Sequence, residues 1–418
     1  MVGFGTLRCV PIGYLVTVVL VGWCTFFAAV APRRPWFLGR MSFPFGFLVN
    51  ELPLLAVYWL LASTLLLWAQ GDFGSPGVWV PIGLAIATAI GLAVVIGRAL
   101  RTGPVVERAL RDGLGANWRD RAGTAHRNLP LARIMLAPFV VRRRDVERVA
   151  NIEYGRFGAG NLLDLYRPRA GVAGAPVLIH LHGGAFVSGR KDREARPLLY
   201  RLASQGWVCV SANYRLRPEA RFPDQLVDTK RVIAWVRTQG TGYGTDPARV
   251  FIAGSSAGAQ LASLAGLTMN DPAYQPGFEA ADTSVAGVVS LYGYYGEPDA
   301  TVENSPLAPL GYVQGDAPPF LVVHGDRDTV LWVEGARQFV DRLRRHSSNP
   351  VVYAELPGGQ HVFDLFHSIR FERVVDAVEG FAAWVLATRR DGAAPPSGSW
   401  RVRVRTWAGK LRVRRTDQ

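Results

Sequence analysis

At 418 residues the chain exceeds one average domain, and with 49% hydrophobic and 19% charged side chains it cannot be disordered throughout. Three cysteines cannot build a disulfide framework or a four-thiolate zinc site. The formal charge of +14 invites a nucleic-acid partner, but residues 1–97, 98–150, 151–388 and 389–418 carry roughly +2, +7, −2 and +7, so the large central segment lacks the basic face of a nucleic-acid reader.

Three stretches, 10–31, 52–69 and 78–96, contain no Asp, Glu, Lys or Arg and approach the roughly 20 apolar residues that span a bilayer. The first could instead be a cleaved signal peptide ending at Ala29-Val30-Ala31, but Pro32 follows and the apolar run is too long for that. The second and third could also form a buried helical hairpin. Arg33, Arg34 and Arg40 follow the first stretch, Asp72 follows the second, and Arg98, Arg101, Arg108 and Arg111 follow the third. Arg8 aside, this distribution predicts a multi-pass membrane protein with its N-terminus outside and everything after residue 98 in the cytoplasm. Basic residues beside apolar spans suit an anionic membrane surface. Residues 1–97 are thus expected to be a transmembrane region and 98–145 a basic helical linker.

From residue 146 short β-rich runs alternate with helical stretches. Strands are expected at 149–154, 162–166, 177–182, 208–213, 250–253, 285–292, 320–324 and 351–355. Helices are expected at 193–205, 225–238, 257–268, 333–345 and 369–388. Alternation of this kind predicts an α/β domain over 146–388, an eight-stranded, mainly parallel sheet flanked by helices. Residues 389–418 open with Gly, Ala, Pro and Ser and continue as RVRVRTWAGKLRVRR, a basic tail expected to be disordered.

Chemistry concentrates in four places. Gly254-Ser255-Ser256-Ala257-Gly258 follows VFIA and precedes the helical AQLASLAGL. That strand–turn–helix context fits a nucleophile elbow presenting Ser256, with the N–H of Ala257 at the oxyanion. A serine hydroxyl needs a base, and the order Ser, acid, His points late in the chain. Of His324, His346, His361 and His367, His361 in PGGQHVF follows a strand and precedes the last helix. The acid comes from FLVVHGDRDTV, where Asp326 and Asp328 compete and Asp328 is taken as the group that holds the imidazole. His182-Gly183-Gly184-Ala185-Phe186 follows VLIHL, and its glycine amides can approach a developing alkoxide. Gly183 and Gly184 are therefore expected as oxyanion donors beside Ala257. No metal or organic cofactor is called for.

Together with LLDLYRP, SANYRL, FPDQLVD, SPLAPL and APPFLVVHGDRDTV, these motifs make residues 145–388 resemble the α/β-hydrolases. More narrowly, they resemble the bacterial carboxylesterases related to hormone-sensitive lipase and to acetyl/feruloyl esterases and kynurenine formamidases. Ala185 stands where a third glycine is common, Ser255 where an acidic residue is frequent, and HGDRD replaces the DPL form of the acid motif. The resemblance implies a serine esterase or lipase acting on short- to medium-chain carboxylic esters through an acyl-enzyme. The partners expected are a small-molecule or lipid ester and membrane lipids, with no nucleic acid. An amidase or peptidase of the same fold, or a non-catalytic membrane scaffold, is the alternative. Segments 270–283, 293–316 and 104–140 are the candidates for a cap.

Overall fold

The structure, a computed structural model, describes residues 11–71, 73, 76–125, 127–296 and 305–390. Arg8, Asp72, part of the 293–316 segment and the basic tail from residue 391 lie outside these.

Three apolar helices and one mixed helix form the N-terminal bundle: α1 (Ile12–Val30), α2 (Trp36–Glu51), α3 (Pro53–Ala69) and α4 (Trp79–Leu100). Glycines set the spacing of α1 and α4. A Cβ on Gly22 would meet Thr88, and one on Gly91 would meet Thr25, so the two helices approach closely and run parallel. Tyr14 Oη lies 2.9 Å from Thr64 Oγ1, which pairs the start of α1 with the far end of α3 and makes α3 antiparallel to both. α1 and the unbroken run Trp79–Leu114 are long and apolar enough to cross a membrane. α3 meets α2 at an 83° bend, as a broken span or a re-entrant pair would.

The stretch expected to be a loop between the first two apolar runs is the helix α2, despite Pro44 inside it. Its propensity is poor, and tertiary packing supplies what propensity does not. Gly46 lies against the Phe27 backbone, and Ser42 Oγ donates to the Pro32 and Leu38 carbonyls at 2.7 and 3.0 Å. Asn50 and Glu51 are buried against the following domain.

Eight strands form one sheet: β1 (Val146–Glu153), β2 (Leu162–Pro168), β3 (Ala175–Leu181), β4 (Val208–Ala212), β5 (Thr245–Ser255), β6 (Gly287–Leu291), β7 (Phe320–Gly325) and β8 (Val351–Leu356). Their order is β1-β2-β4-β3-β5-β6-β7-β8. β1–β2 and β2–β4 are antiparallel and every other neighbour pair is parallel. β5 begins five residues before its expected start because Thr245 pairs with Ala175.

Between α4 and β1 lie α5 (Thr102–Leu114), α6 (Trp118–Ala122) and α7 (Leu131–Leu136). α8 (Arg196–Ala203), α9 (Asp224–Gln239), α10 (Ala257–Leu267), α11 (Val333–His346) and α12 (Ile369–Arg390) connect or follow the strands. Each matches a helix predicted from the sequence. Two cores result. Leu198, Phe371 and Phe381 of α8 and α12 pack on one face of the sheet, and Leu226, Leu261 and Phe339 of α9, α10 and α11 pack on the other. The 98–145 linker is no free tether: Val106, Leu110, Leu114 and Trp118 join the first core, and Gly113 lies against Val352 of β8.

Candidate active site

β5 runs into Ser256, which sits at φ 54° and ψ −117° before the first turn of α10. Positive φ strains a non-glycine residue, and its neighbours hold it there. The Ser256 N–H donates to the Leu291 carbonyl at 3.0 Å, and the Ser256 carbonyl accepts from the Gln260 N–H at 3.1 Å. A Cβ on Gly254 would lie 2.1 Å from the Gly258 carbonyl oxygen, and one on Gly258 would lie 2.1 Å from that of Leu181. Close backbone approach thus explains glycine at both ends of the motif.

The loop after β8 brings His361 Nε2 to 3.0 Å from Ser256 Oγ. His361 Nδ1 lies 2.7 Å from Asp328 Oδ2 on the loop after β7. Asp328 is buried, and its Oδ1 accepts the Val330 and Leu331 amides, each at 2.8 Å. Burial works to raise its pKa, but the His361 and His324 imidazoles around it hold the carboxyl well below the usual range. Gln360 ties the two loops together: its Oε1 accepts the Thr329 amide at 2.8 Å and its Nε2 donates to Thr329 Oγ1 at 3.1 Å. Asp326 instead accepts the Gly358 amide at 2.7 Å. His324 lies behind the acid, 2.9 Å from the Leu331 carbonyl. His346 caps α11 on the surface, and His367 pairs with Glu372 at 2.5 Å.

The turn at 182–188 brings its glycines beside the elbow, where a Cβ on Gly183 would lie 3.0 Å from Ser256 Cβ. One donor differs from the sequence reading. The Gly183 N–H is already donated to the buried Glu194 carboxylate, so it is not free for a substrate oxygen. Next along the turn, Gly184 and Ala185 have φ of 115° and 53°, and their amides donate to no acceptor among the described residues. A Cβ on Gly184 would fall 2.0 Å from the Ser188 carbonyl. Ala257, buried at the first position of α10, has an N–H that helix geometry leaves unpaired.

Beneath the elbow lies a polar network that sequence reading missed. Asp364 accepts Ser255 Oγ–H and Tyr292 Oη–H, both at 2.5 Å, and His180 Nε2 lies 3.0 Å from Ser255 Oγ. A buried carboxyl group from position 364 thus meets the side chain at position 255. Burial, then the neighbouring Asp364 carboxylate, pushes the Glu194 carboxyl up to about 8, against the lowering effect of the Gly183 amide. Burial likewise raises Asp364. Nothing local marks Glu194. Asp364 follows His361 by three residues, the one signal a sequence reader could have used.

α2 reaches the same place. The Phe43 ring meets the His361 ring edge-on at 5.9 Å, and Tyr292 meets it from another side at 4.7 Å. Among the proposed cap segments, 270–283 follows the C-terminal end of α10, roughly 16 Å along the helix from Ser256. The 305–310 stretch is nearer, with the Leu307 carbonyl accepting Gln260 Nε2 at 2.5 Å. A cleft of about 820 Å³ between α5, α6 and α12, lined by Trp118, Arg127, Trp207 and Glu379, holds none of these site residues. Among the described residues no cluster of three His, Cys, Asp or Glu side chains could hold a metal ion.

A family model described as BD-FAE matches residues 163–297. "Probable carboxylic ester hydrolase LipM" of Mycobacterium tuberculosis is 38% identical, the alignment covering 92% of this chain and 96% of that protein. "Esterase LipQ" of the same organism is 38% identical over 71% of this chain and 77% of its own. Among solved structures, butyrate-bound esterase 2 of Thermogutta terrifontis superposes with a TM-score of 0.51 at 19% identity, covering 61% of this chain and 97% of that one, a likeness of fold. Aligned along nearly its whole length with such a relative, the chain belongs to the carboxylic ester hydrolases and has their α/β-hydrolase fold.

Proposed function

We propose that this ester hydrolase is a membrane-seated serine esterase whose nucleophile is Ser256, with His361 as base and Asp328 as orienting acid. Ser256 Oγ attacks the ester carbonyl carbon while His361 Nε2 takes its proton. The tetrahedral oxygen receives hydrogen bonds from the amides of Gly184, Ala185 and Ala257, each worth about 3 kcal/mol in the transition state. Collapse breaks the carbon–oxygen bond to the alcohol, which leaves with the proton from His361. Water then attacks the acyl carbon as the same imidazole takes its proton, the bond to Ser256 Oγ breaks, and the imidazolium returns that proton to the serine oxygen as the acid leaves. Asp328 keeps the Nδ1–H tautomer and stabilises the imidazolium.

The observation that carries this reading is the run of contacts from Ser256 through His361 to Asp328, at 3.0 and 2.7 Å. In this reading α1, α3 and α4 cross the bilayer, residues 146–388 with the packed 98–145 helices form the cytoplasmic catalytic unit, and the substrate is a carboxylic ester. The test is p-nitrophenyl butyrate hydrolysis by the detergent-solubilised full chain beside Ser256→Ala. The variant is expected to lose at least about 10³-fold. Equal rates in both would discard the reading, and faster cleavage of a matched anilide than of the ester would make it an amidase.

A further inference from the structure

The apolar bundle is wired into the loops that carry the triad. Arg33, between α1 and α2, pairs with Glu334 at 3.0 Å and donates to the Asp326 and Asp328 carbonyls, each at 3.4 Å. Arg327, between those two acids, donates to the Val30 carbonyl at 2.8 Å. On the histidine loop, Asn50 Nδ2 donates to the Gly358 carbonyl at 2.8 Å, and Arg370 Nη1 donates to Asn50 Oδ1 at 3.0 Å. Ser368 Oγ–H reaches Glu51 at 2.7 Å. A bundle serving only as a tether would need none of these contacts.

The pole that meets the bundle is also apolar where it is exposed. Val187 of the oxyanion turn is 58% exposed, Trp332 after the acid loop 52%, and Leu136 at the end of α7 81%. Trp332 lies under Arg33. Leu136 ends the helix whose Ile134 packs with Ala99 of α4 and Leu54 of α3. Such side chains around one end of an apolar bundle suit the acyl and headgroup boundary of a bilayer. α2, turned 83° from α3, lies across this pole, its Phe43 against His361 and stacked on Phe47 at 5.3 Å.

We infer that α2 is the acyl-binding wall of the active site and that the enzyme takes esters dissolved in the bilayer, their acyl chains running along Phe43 and Phe47 towards the hydrocarbon. This rests on the serine-esterase reading and adds the substrate class. Water-soluble short esters reach Ser256 without using that wall, so the two ideas separate in one experiment.

The full chain is reconstituted in vesicles of non-hydrolysable diether phosphatidylcholine, with active sites counted by fluorophosphonate labelling. Rates on p-nitrophenyl acetate and decanoate are compared for wild type, Phe43→Ala and Phe43→Leu. The decanoate-to-acetate ratio of kcat/KM is expected to fall about tenfold in Phe43→Ala and less than about threefold in Phe43→Leu, one decade corresponding to about 1.4 kcal/mol. A second arm places a fluorogenic ester on a diether lipid that stays in its vesicle. Cleavage is expected to be at least tenfold faster when enzyme and lipid share vesicles than when they occupy separate ones. An unchanged ratio, an equal loss on both esters (Phe43 then merely bracing His361) or equal rates in shared and separate vesicles would overturn the inference. Absence of acetate hydrolysis by the wild type would overturn the esterase reading beneath it.

Discussion

Replacing Asp328 by Asn alters the tautomer of His361 rather than the packing around it. Asp328 Oδ1 holds the Val330 and Leu331 amides, each at 2.8 Å, and the Asn carbonyl oxygen can keep both. The amide nitrogen must then occupy the Oδ2 position, 2.7 Å from His361 Nδ1. A donor there forces Nδ1 to accept and moves the imidazole proton to Nε2, the atom 3.0 Å from Ser256 Oγ. The base can no longer take the serine proton. The expected loss in kcat is about 10⁴-fold, roughly 5.5 kcal/mol, as for this substitution in serine proteases. Asp326→Asn is the internal control. Its one bond of this kind, from the Gly358 amide at 2.7 Å, is kept by an Asn oxygen, so the loss should stay under about fivefold. The assay is p-nitrophenyl butyrate hydrolysis by the solubilised chain, with thermal unfolding to establish that both variants are folded. A loss below about tenfold in Asp328→Asn, or a larger loss in Asp326→Asn, would refute the assignment.

Three further substitutions probe the surroundings. Glu194 has its carboxyl raised from 4.5 to about 8, so the folded state favours its protonated form. That advantage is fully present below pH 4.5 and is lost as pH rises through 8. Glu194→Gln keeps an acceptor for the Gly183 amide and does not ionise, so its melting temperature should rise relative to wild type between pH 5 and pH 8; parallel curves would remove the premise. Gly258→Ala places a Cβ 2.1 Å from the Leu181 carbonyl and 2.5 Å from that of His182, backbone atoms with no route of escape, so destabilisation above about 4 kcal/mol is expected. Normal fluorophosphonate labelling and melting would contradict it. Arg370→Met leaves the buried Glu51 carboxylate without its cation, at a cost of about 3–5 kcal/mol. Adding Glu51→Leu should restore at least half of that in detergent melts, and a double variant no better than the single one would argue against a direct pair.

The parts of the site that could be read in the sequence are those where backbone crowding dictates composition. Gly254 and Gly258 are glycine because neighbouring carbonyls occupy the space of a Cβ, and that requirement writes a five-residue pattern. The strands and helices of the sheet likewise leave local periodicity. Gly183 could not be told from Gly184 as a donor, because only the side chain of Glu194, eleven residues on, decides where its amide points. Asp364 was hidden for a similar reason: its partner Ser255 lies 109 residues earlier, and neither residue alone signals the pair. α2 escaped notice because hydropathy averages its polar residues into a loop. Asn50 and Glu51 are buried by residues about 320 positions away, and no local pattern encodes that.

The same contacts bear on the proposed membrane orientation. Arg33 and Arg98 support the cytoplasmic assignment when basic residues are counted along the sequence. In the structure Arg33 answers Glu334 and the carbonyls of the acid loop, and Arg98 donates to the Ala29 carbonyl at 2.5 Å. Docking explains both residues without any rule about loops. The orientation has a second source, the geometry of the bundle. α1 and α4 run parallel in direct contact and both end at the catalytic domain, while α3 runs back alongside them. If α1, α3 and α4 each cross the bilayer, as proposed, residue 12 and the triad fall on opposite sides of it. Charge then has only to choose the side. In the proposed reading the charge of residues 98–150, about +7, favours the cytoplasmic side, and the exposed apolar rim and α2 would then meet the lipid.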